Sequence, residues 1–106
     1  MSIFCMMTTT FADETSAKKM ITLLLEERLV ACAQMMPIQS FYRWEEKICD
    51  TQEFLVLIKT QAYHYDAIEA LILAHHPYKT PQLLQVPIEK GLPNYLFWLE
   101  EETRKP

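Results

Sequence analysis

The spacing of apolar residues changes several times along this chain, and each change predicts the boundary of a secondary-structure element. Residues 3–8 form a short apolar run that leads into threonines, which predicts a first strand. From about residue 11 to residue 29 the apolar positions recur every three or four residues, which predicts an amphipathic helix. Thr10 and Asp13 form an approximate capping box at the start of this helix.

Two long strands are predicted next. Residues 30–44 are rich in Cys, Met, Ile and aromatic side chains, and Pro37 within them predicts an edge position or a bulge, because proline cannot donate to a strand ladder. The segment Glu45-Glu46-Lys47 predicts a turn, and residues 48–60 then return as the second strand. Together these segments predict a long hairpin.

The second half of the chain repeats the order of strand, helix and strand. Residues 63–76 regain the helical period, and Pro77 predicts the end of that helix. A short strand over residues 83–88 precedes Gly91 and Pro93, which predict a turn into a short terminal helix. The order βαββαβ with a tail helix predicts an α+β fold, a ferredoxin-like sandwich with a long hairpin between its second and third strands.

The central run of the second hairpin strand raises the question of what covers the sheet. Residues Phe54–Ile58 are apolar at every position, so both faces of this strand need cover. Right-handed crossovers place both main helices on one face. The other face would be a larger apolar patch than soluble monomers expose, which predicts a partner surface, most simply a second copy of the chain. The alternative is that the terminal helix, which carries Trp98, closes this face.

Composition limits the classes of function. With 106 residues we expect one domain spanning 1–106, and no apolar run approaches the ~20 residues of a membrane span. The net charge of −4 and the lack of a Lys/Arg cluster argue against nucleic acid as a partner. The first seven residues have no basic segment of the kind that opens a secretory signal, which predicts a soluble, cytoplasmic protein. The three cysteines are widely spaced and predict neither disulfides nor a zinc site.

Five short segments between Asp13 and Leu99 carry a resemblance to a known family. One of them, His75-His76-Pro77-Tyr78-Lys79-Thr80-Pro81, brings two imidazoles, a phenol and two prolines together at a helix exit. The other four are Leu29-Val30-Ala31-Cys32, Tyr42-Arg43-Trp44-Glu45-Glu46-Lys47, Leu57-Ile58-Lys59-Thr60 and Tyr95-Leu96-Phe97-Trp98-Leu99. In these segments the chain resembles the CutA family of divalent-cation tolerance proteins. The resemblance implies a homotrimer, similar in fold to the PII-type signalling proteins, whose sheets pack toward the molecular axis.

The histidine pair is the first candidate for a metal ligand, because neutral imidazole binds copper, zinc and nickel. Adjacent residues of a helix point about 100° apart, so His75 and His76 cannot readily share one ion. By itself His75 also fits a half-buried residue that complements the negative end of its helix. The resemblance makes His75 a ligand for Cu(II) or another divalent cation, but the other two ligand positions it implies, a cysteine and a glutamate, are Thr9 and Gln82 here.

The resemblance also implies a cleft between subunits, with Tyr42, Trp44, Lys59 and Tyr78 as lining. Aromatic walls with one cation suit a small anionic ligand, although interface packing is the simpler explanation of Tyr42 and Trp44, and Lys59 could simply pair with a carboxylate. No arrangement of nucleophile and base is apparent, and Cys32 lies in an apolar strand, where thiols are usually inert. We therefore expect a non-enzymatic trimer, either a metal-tolerance protein or a sensor of small molecules without a metal site of its own.

Glycine is missing from the turn between the two long strands. The resemblance places glycine at the position of Glu46, and glycine supplies a positive φ without steric cost. Its replacement predicts either a different type of turn or local strain.

Overall fold

The computed structural model describes residues 3–105 and contains four strands, three α-helices and one 3-10 turn. In chain order they are β1 (Phe4–Phe11), α1 (Glu14–Glu26), β2 (Cys32–Trp44), β3 (Lys47–Gln61), the 3-10 turn (Ala62–His64), α2 (Tyr65–His75), β4 (Leu84–Ile88) and α3 (Pro93–Glu102). The predicted order of elements is confirmed. None of the helices in this part of the chain combines the length and the apolar character needed to cross a membrane.

The four strands form one antiparallel sheet in the order β2-β3-β1-β4, which confirms the ferredoxin-like topology. The pairing of β2 with β3 runs without interruption from Cys32 opposite Lys59 to Trp44 opposite Lys47. Pro37 lies opposite Phe54 within this ladder. The prediction of an edge strand at Pro37 is therefore confirmed, and the alternative of a bulge is wrong.

The start of α1 differs from the predicted capping box. Asp13 alone is the N-cap: its carboxylate accepts the Ser16 backbone N–H at 2.8 Å and the Ser16 hydroxyl at 2.9 Å. These bonds favour the ionised form and lower the pKa of Asp13. Thr10 does not take part, because β1 continues through this residue to Phe11.

Both main helices pack on one face of the sheet and enclose the core. Strand alternation sends Cys5, Met7 and Phe11 of β1 and Val56 and Ile58 of β3 to this face, where all five are fully buried. The helices contribute apolar residues at three- and four-residue spacing: Ala17, Met20 and Leu24 from α1, and Ile68 and Ile72 from α2. The helical periods of the sequence thus correspond to real core stripes.

The opposite side of the sheet, which we call the open face, carries the alternate residues of each strand and is only partly covered. Helix α3 lies over one end of it, where Gln61 donates to the Thr103 hydroxyl at 2.6 Å and both side chains are buried. Beyond α3, Met36, Leu84 and Val86 remain 43%, 57% and 43% exposed. The terminal helix therefore closes one end of this face but leaves these three residues, which we call the apolar strip, exposed on its two edge strands.

The turn between β2 and β3 is a tight two-residue turn, although Glu46 stands where the resemblance places glycine. Glu45 and Glu46 form a two-residue loop with φ values of 50° and 64°, and Trp44 and Lys47 pair on either side of it. Positive φ at both positions is the signature of a type I′ turn, which favours Asn-Gly. Of the two outcomes predicted from the missing glycine, the structure has the strained one.

Replacement of Glu46 by glycine should stabilise the hairpin. A non-glycine residue in the left-handed region destabilises the fold by about 1–2 kcal/mol, which glycine would remove. Glycine also makes the unfolded chain more flexible, which lowers stability in part, so we expect the free energy of unfolding to rise by about 0.5–1 kcal/mol. Denaturant unfolding of Glu46→Gly measures it. The matched control is Gln52→Gly in β3, where φ is that of a strand and glycine should destabilise. A Glu46→Gly protein no more stable than the wild type would contradict the strain.

Candidate functional site

The segment after α2 crosses the end of the sheet and closes a cavity against the hairpin. His76 ends α2 with extended backbone, and Pro77 prevents the helix from continuing. The following residues pass over the ends of β1 and β3 and leave a cavity of about 540 Å³ beside the distal half of β2. The cavity is lined by Thr10, Ser40, Phe41, Tyr42, Trp44, Glu53, Tyr78, Lys79, Thr80 and Gln82.

Glu53 is the charged residue buried in this cavity. It is 8% exposed, and its carboxylate accepts the Tyr78 hydroxyl at 2.5 Å. Among residues 3–105 no Lys, Arg or His nitrogen lies within 4 Å of this carboxylate. Burial, and then the hydrogen bond to Glu53, raise the pKa of Tyr78 above its usual range, so this phenol remains a neutral donor.

His76 holds the crossing segment against the sheet in one protonation state. Its Nε2 lies 2.7 Å from the Thr10 carbonyl, which can only accept, and its Nδ1 accepts the Tyr78 backbone N–H at 3.0 Å. The ring also stacks on Phe11 with centroids 4.2 Å apart. These partners fix a neutral ring protonated at Nε2. Burial lowers the pKa of His76, although the Thr10 carbonyl and the charge of Glu53 act in the opposite direction.

The structure does not bring the three positions of the implied copper site together within one chain. The Thr9 side chain is fully buried on the helix face, whereas Gln82 donates to the hydroxyl of Thr8 on the open face at 3.1 Å. His75 is exposed and lines a groove beside α1, with Ser16, Lys19, Met20, Leu23 and Pro77. In the described part of the chain no three His, Cys, Asp or Glu side chains are grouped for a metal ion.

Three of the four residues predicted for the cleft meet at the cavity. Tyr42, Trp44 and Tyr78 line it, but Lys59 does not. Lys59 lies six residues from Glu53 along β3, about 20 Å away at 3.3 Å per residue, and donates to the Gln34 amide oxygen at 2.9 Å. Its partner is thus an amide and not a carboxylate.

Sequence reasoning missed Glu53 and the part played by His76. A signal for Glu53 was present, because an acid directly before the apolar run Phe54–Ile58 continues a strand that is buried at alternate positions. For His76 the signal was weaker. Its neighbour His75 continues the apolar stripe of α2 but is exposed, whereas the half-buried ring is that of His76 at the helix cap, where it reaches the Thr10 carbonyl of β1.

Comparison with known proteins places the chain in a family. The family described as CutA1 divalent ion tolerance protein matches residues 5–102. The chain belongs to the CutA family. The divalent-cation tolerance protein CutA of Pyrococcus horikoshii is 38% identical over 97 residues, which cover 92% of this chain and 95% of the relative. The CutA1 structure from Oryza sativa superposes with a TM-score of 0.95 at 31% identity and covers 99% of this chain and 97% of the rice chain.

The predicted cytoplasmic location is contradicted by another similar structure. The CutA of Archaeoglobus fulgidus is described as a periplasmic divalent cation tolerance protein. Its structure superposes with a TM-score of 0.92 at 33% identity and covers 94% of this chain and 98% of that chain. The prediction rested on the composition of the first seven residues. From Phe4 onward that segment is strand β1, so its composition reflects pairing in the sheet and is no guide to the compartment.

Acidification should destabilise the fold through His76. The pKa of His76 in the folded protein lies below the unfolded value of about 6.5. The free energy of unfolding therefore has its full value above pH 6.5 and decreases below it, because the unfolded state binds a proton that the folded state does not. Denaturant unfolding at pH 7.5, 6.5 and 5.5 should show this loss, and His76→Phe should reduce its slope. His75→Asn, at the exposed neighbour, is the control and should leave the slope unchanged. His64, buried and with a pKa lowered first by burial, accounts for a residual slope.

Proposed function

We propose that this chain acts in tolerance of divalent cations as a non-enzymatic homotrimer of single-domain subunits. Membership of the CutA family supports the role, and the apolar strip of the open face supports the assembly. The strip is the observation on which the proposal depends, because it is a feature of this chain's own surface.

The exposed apolar residues of the open face support the assembly of several copies of this chain. Met36 lies on one edge strand, β2, and Leu84 and Val86 on the other, β4, while Leu55 and Leu57 between them are only half-buried. Thr8 and Thr10 of β1 interrupt this apolar surface, but exposed apolar side chains on both edge strands are the kind of surface that a second sheet covers. The hairpin extends the molecule to 44 Å along one axis against 25 and 21 Å along the others, so it reaches beyond the body toward a neighbour.

Direct binding of metal ions is proposed to be weak and to depend on His75. This imidazole is exposed at the end of α2, and among residues 3–105 no cysteine, aspartate or glutamate lines its groove. A single imidazole suits Cu(II), Zn(II) or Ni(II) better than Cu(I), which prefers sulfur ligands. Cys5, the nearest thiol on β1 to Thr9, is buried, and burial raises its pKa to about 11.

The non-enzymatic part of the proposal rests on the state of the reactive groups. The raised pKa of Cys5 leaves its thiol protonated at neutral pH and therefore a poor nucleophile. Both ring nitrogens of His76 are engaged with backbone groups, so this imidazole cannot serve as a base without losing a bond that fixes the loop.

A second candidate function is a trimer that senses a small molecule and has no metal site of its own. The cavity favours it, because about 540 Å³ with aromatic walls is of the size that holds a small ligand.

Light scattering should give the mass of a trimer at micromolar concentration. Placing a carboxylate on the strip, as Val86→Glu, should dissociate the assembly, because the charge would be buried without a partner. The control is Leu73→Glu, which puts the same charge on an exposed position of the helix side and should remain trimeric. A wild-type protein that is a folded monomer under these conditions would refute the assembly.

Calorimetric titration with Cu(II), Zn(II) and Ni(II), in a buffer that competes weakly for metals, should give weak binding that His75→Ala abolishes. Lys19→Ala is the matched control from the same groove, since removal of a cation there should leave binding equal or slightly tighter. Equal heats from the wild type and His75→Ala would show that His75 is not a ligand.

A further inference from the structure

The cavity beside the hairpin holds a buried carboxylate that forms no ion pair with any residue of the described chain, although Lys79 also lines the cavity. The Glu53 carboxylate is more than nine-tenths buried, and its hydrogen-bond donor, the Tyr78 phenol, is neutral. Within residues 3–105 no basic nitrogen reaches it within 4 Å. Asp13 adds negative potential nearby, since its charge also acts on Tyr78. A buried carboxylate in this state stabilises a cation that enters the cavity.

The walls of the cavity are aromatic. Phe41, Tyr42, Trp44 and Tyr78 all contribute to them. Trp44 is 49% exposed, and its indole Nε1 donates to the Glu45 carboxylate at 2.9 Å, which holds the ring in place. Tyr42 is similarly held, because its hydroxyl oxygen accepts the Thr51 hydroxyl at 3.3 Å. Fixed aromatic faces attract cations through their quadrupoles, most strongly where the cation has lost its water.

We propose that this cavity binds a small organic cation with a methylated or quaternary ammonium group. Glu53 supplies the counter-charge, and the aromatic walls supply the surface for the methyl groups. The inference rests on the second function proposed above, that of a small-molecule sensor, and names its class of ligand. It replaces the small anion expected from the sequence, because the cation behind that expectation, Lys59, lies about 20 Å along the strand from Glu53.

Other ligand classes fit the cavity less well. A metal ion would meet a single carboxylate and no imidazole or thiol, and metals require several such ligands. An anion would meet Glu53 at the buried end and a single cation, the exposed Lys79, in the lining. The remaining polar groups, from Thr10, Ser40, Thr80 and Gln82, are neutral and can bond to a hydroxyl of the ligand.

The site lies at the border of the surface proposed for the trimer. The cavity is beside residues 40–44 of β2, whereas the apolar strip is centred on Met36, Leu84 and Val86. The two proposals can therefore fail separately. Light scattering tests the assembly, and ligand titration tests the cavity.

The experiment is a calorimetric titration of the full chain with choline and with 3,3-dimethyl-1-butanol, which has the same shape without the charge. We expect choline to bind and the neutral isostere to bind at least about tenfold more weakly, a loss of about 1.4 kcal/mol. Glu53→Gln, which keeps shape and hydrogen-bond acceptor, should weaken choline binding by a similar factor. The matched control is Glu89→Gln, which removes an equal charge from an exposed residue and should bind like the wild type.

A second readout covers the case in which Glu53→Gln does not fold. Tryptophan fluorescence in a Trp98→Phe background reports Trp44 alone, and choline should change it in a saturable way. Trp44→Leu, at the exposed end of the hairpin, should lose choline affinity by about fivefold or more while keeping its circular dichroism. Equal binding of choline and its isostere, or binding unaffected by either substitution, overturns the proposal. Preferential binding of phosphate or citrate at the cavity overturns it as well.

Discussion

The sheet of this protein has two faces, and its two main helices can cover only one of them. Right-handed crossovers fix that outcome once the order of elements is βαββαβ. Strand β3 is apolar in both directions through Phe54–Ile58, so half of its side chains pack against α1 and α2 while the other half remain on the open face. Helix α3 relieves part of this exposure by covering the end of the face near Gln61. The exposed remainder of the open face therefore follows from the topology of the chain.

The same alternation of strand residues explains why the candidate site lies where it does. Glu53 follows the parity of Leu55 and Leu57 and points to the open face. Ile38 of β2 lies opposite it, but β1 ends at Phe11 and provides no neighbour on the other side. The segment after α2 fills the gap and brings Tyr78 to the carboxylate. His76 determines the path of this segment through two bonds to backbone groups and a stack on Phe11. A change in the protonation of His76 therefore acts on the cavity as well as on the stability of the fold.

The sequence predicted those features that depend on periodicity and failed where a single side chain decides. Apolar spacing located every strand and helix to within a few residues, because burial on one face imposes the period. The capping box predicted from Thr10 and Asp13 was wrong, because β1 extends through Thr10 to Phe11 and Asp13 alone caps α1. The resemblance to the CutA family implied Tyr42, Trp44 and Tyr78 as a group but included Lys59 as well, because residue types indicate what a cleft could contain and not which positions of a twisted hairpin meet.

The chain has the fold of its relatives but lacks two of the groups expected at the implied copper site. The structure shows why the fold does not depend on these two groups. Thr9 takes part in the core as a small residue on the helix face, where a cysteine would pack equally well, so the sheet places no demand on sulfur there. The Gln82 amide donates a hydrogen bond to the Thr8 hydroxyl. A glutamate at this position could instead accept a hydrogen bond from the same hydroxyl. Glu53 differs from both, because it is buried, accepts a hydrogen bond from Tyr78 and places its carboxylate at the buried end of a cavity that the fold itself creates. Its burial carries an energetic cost that packing alone does not explain, and a cationic ligand would offset that cost.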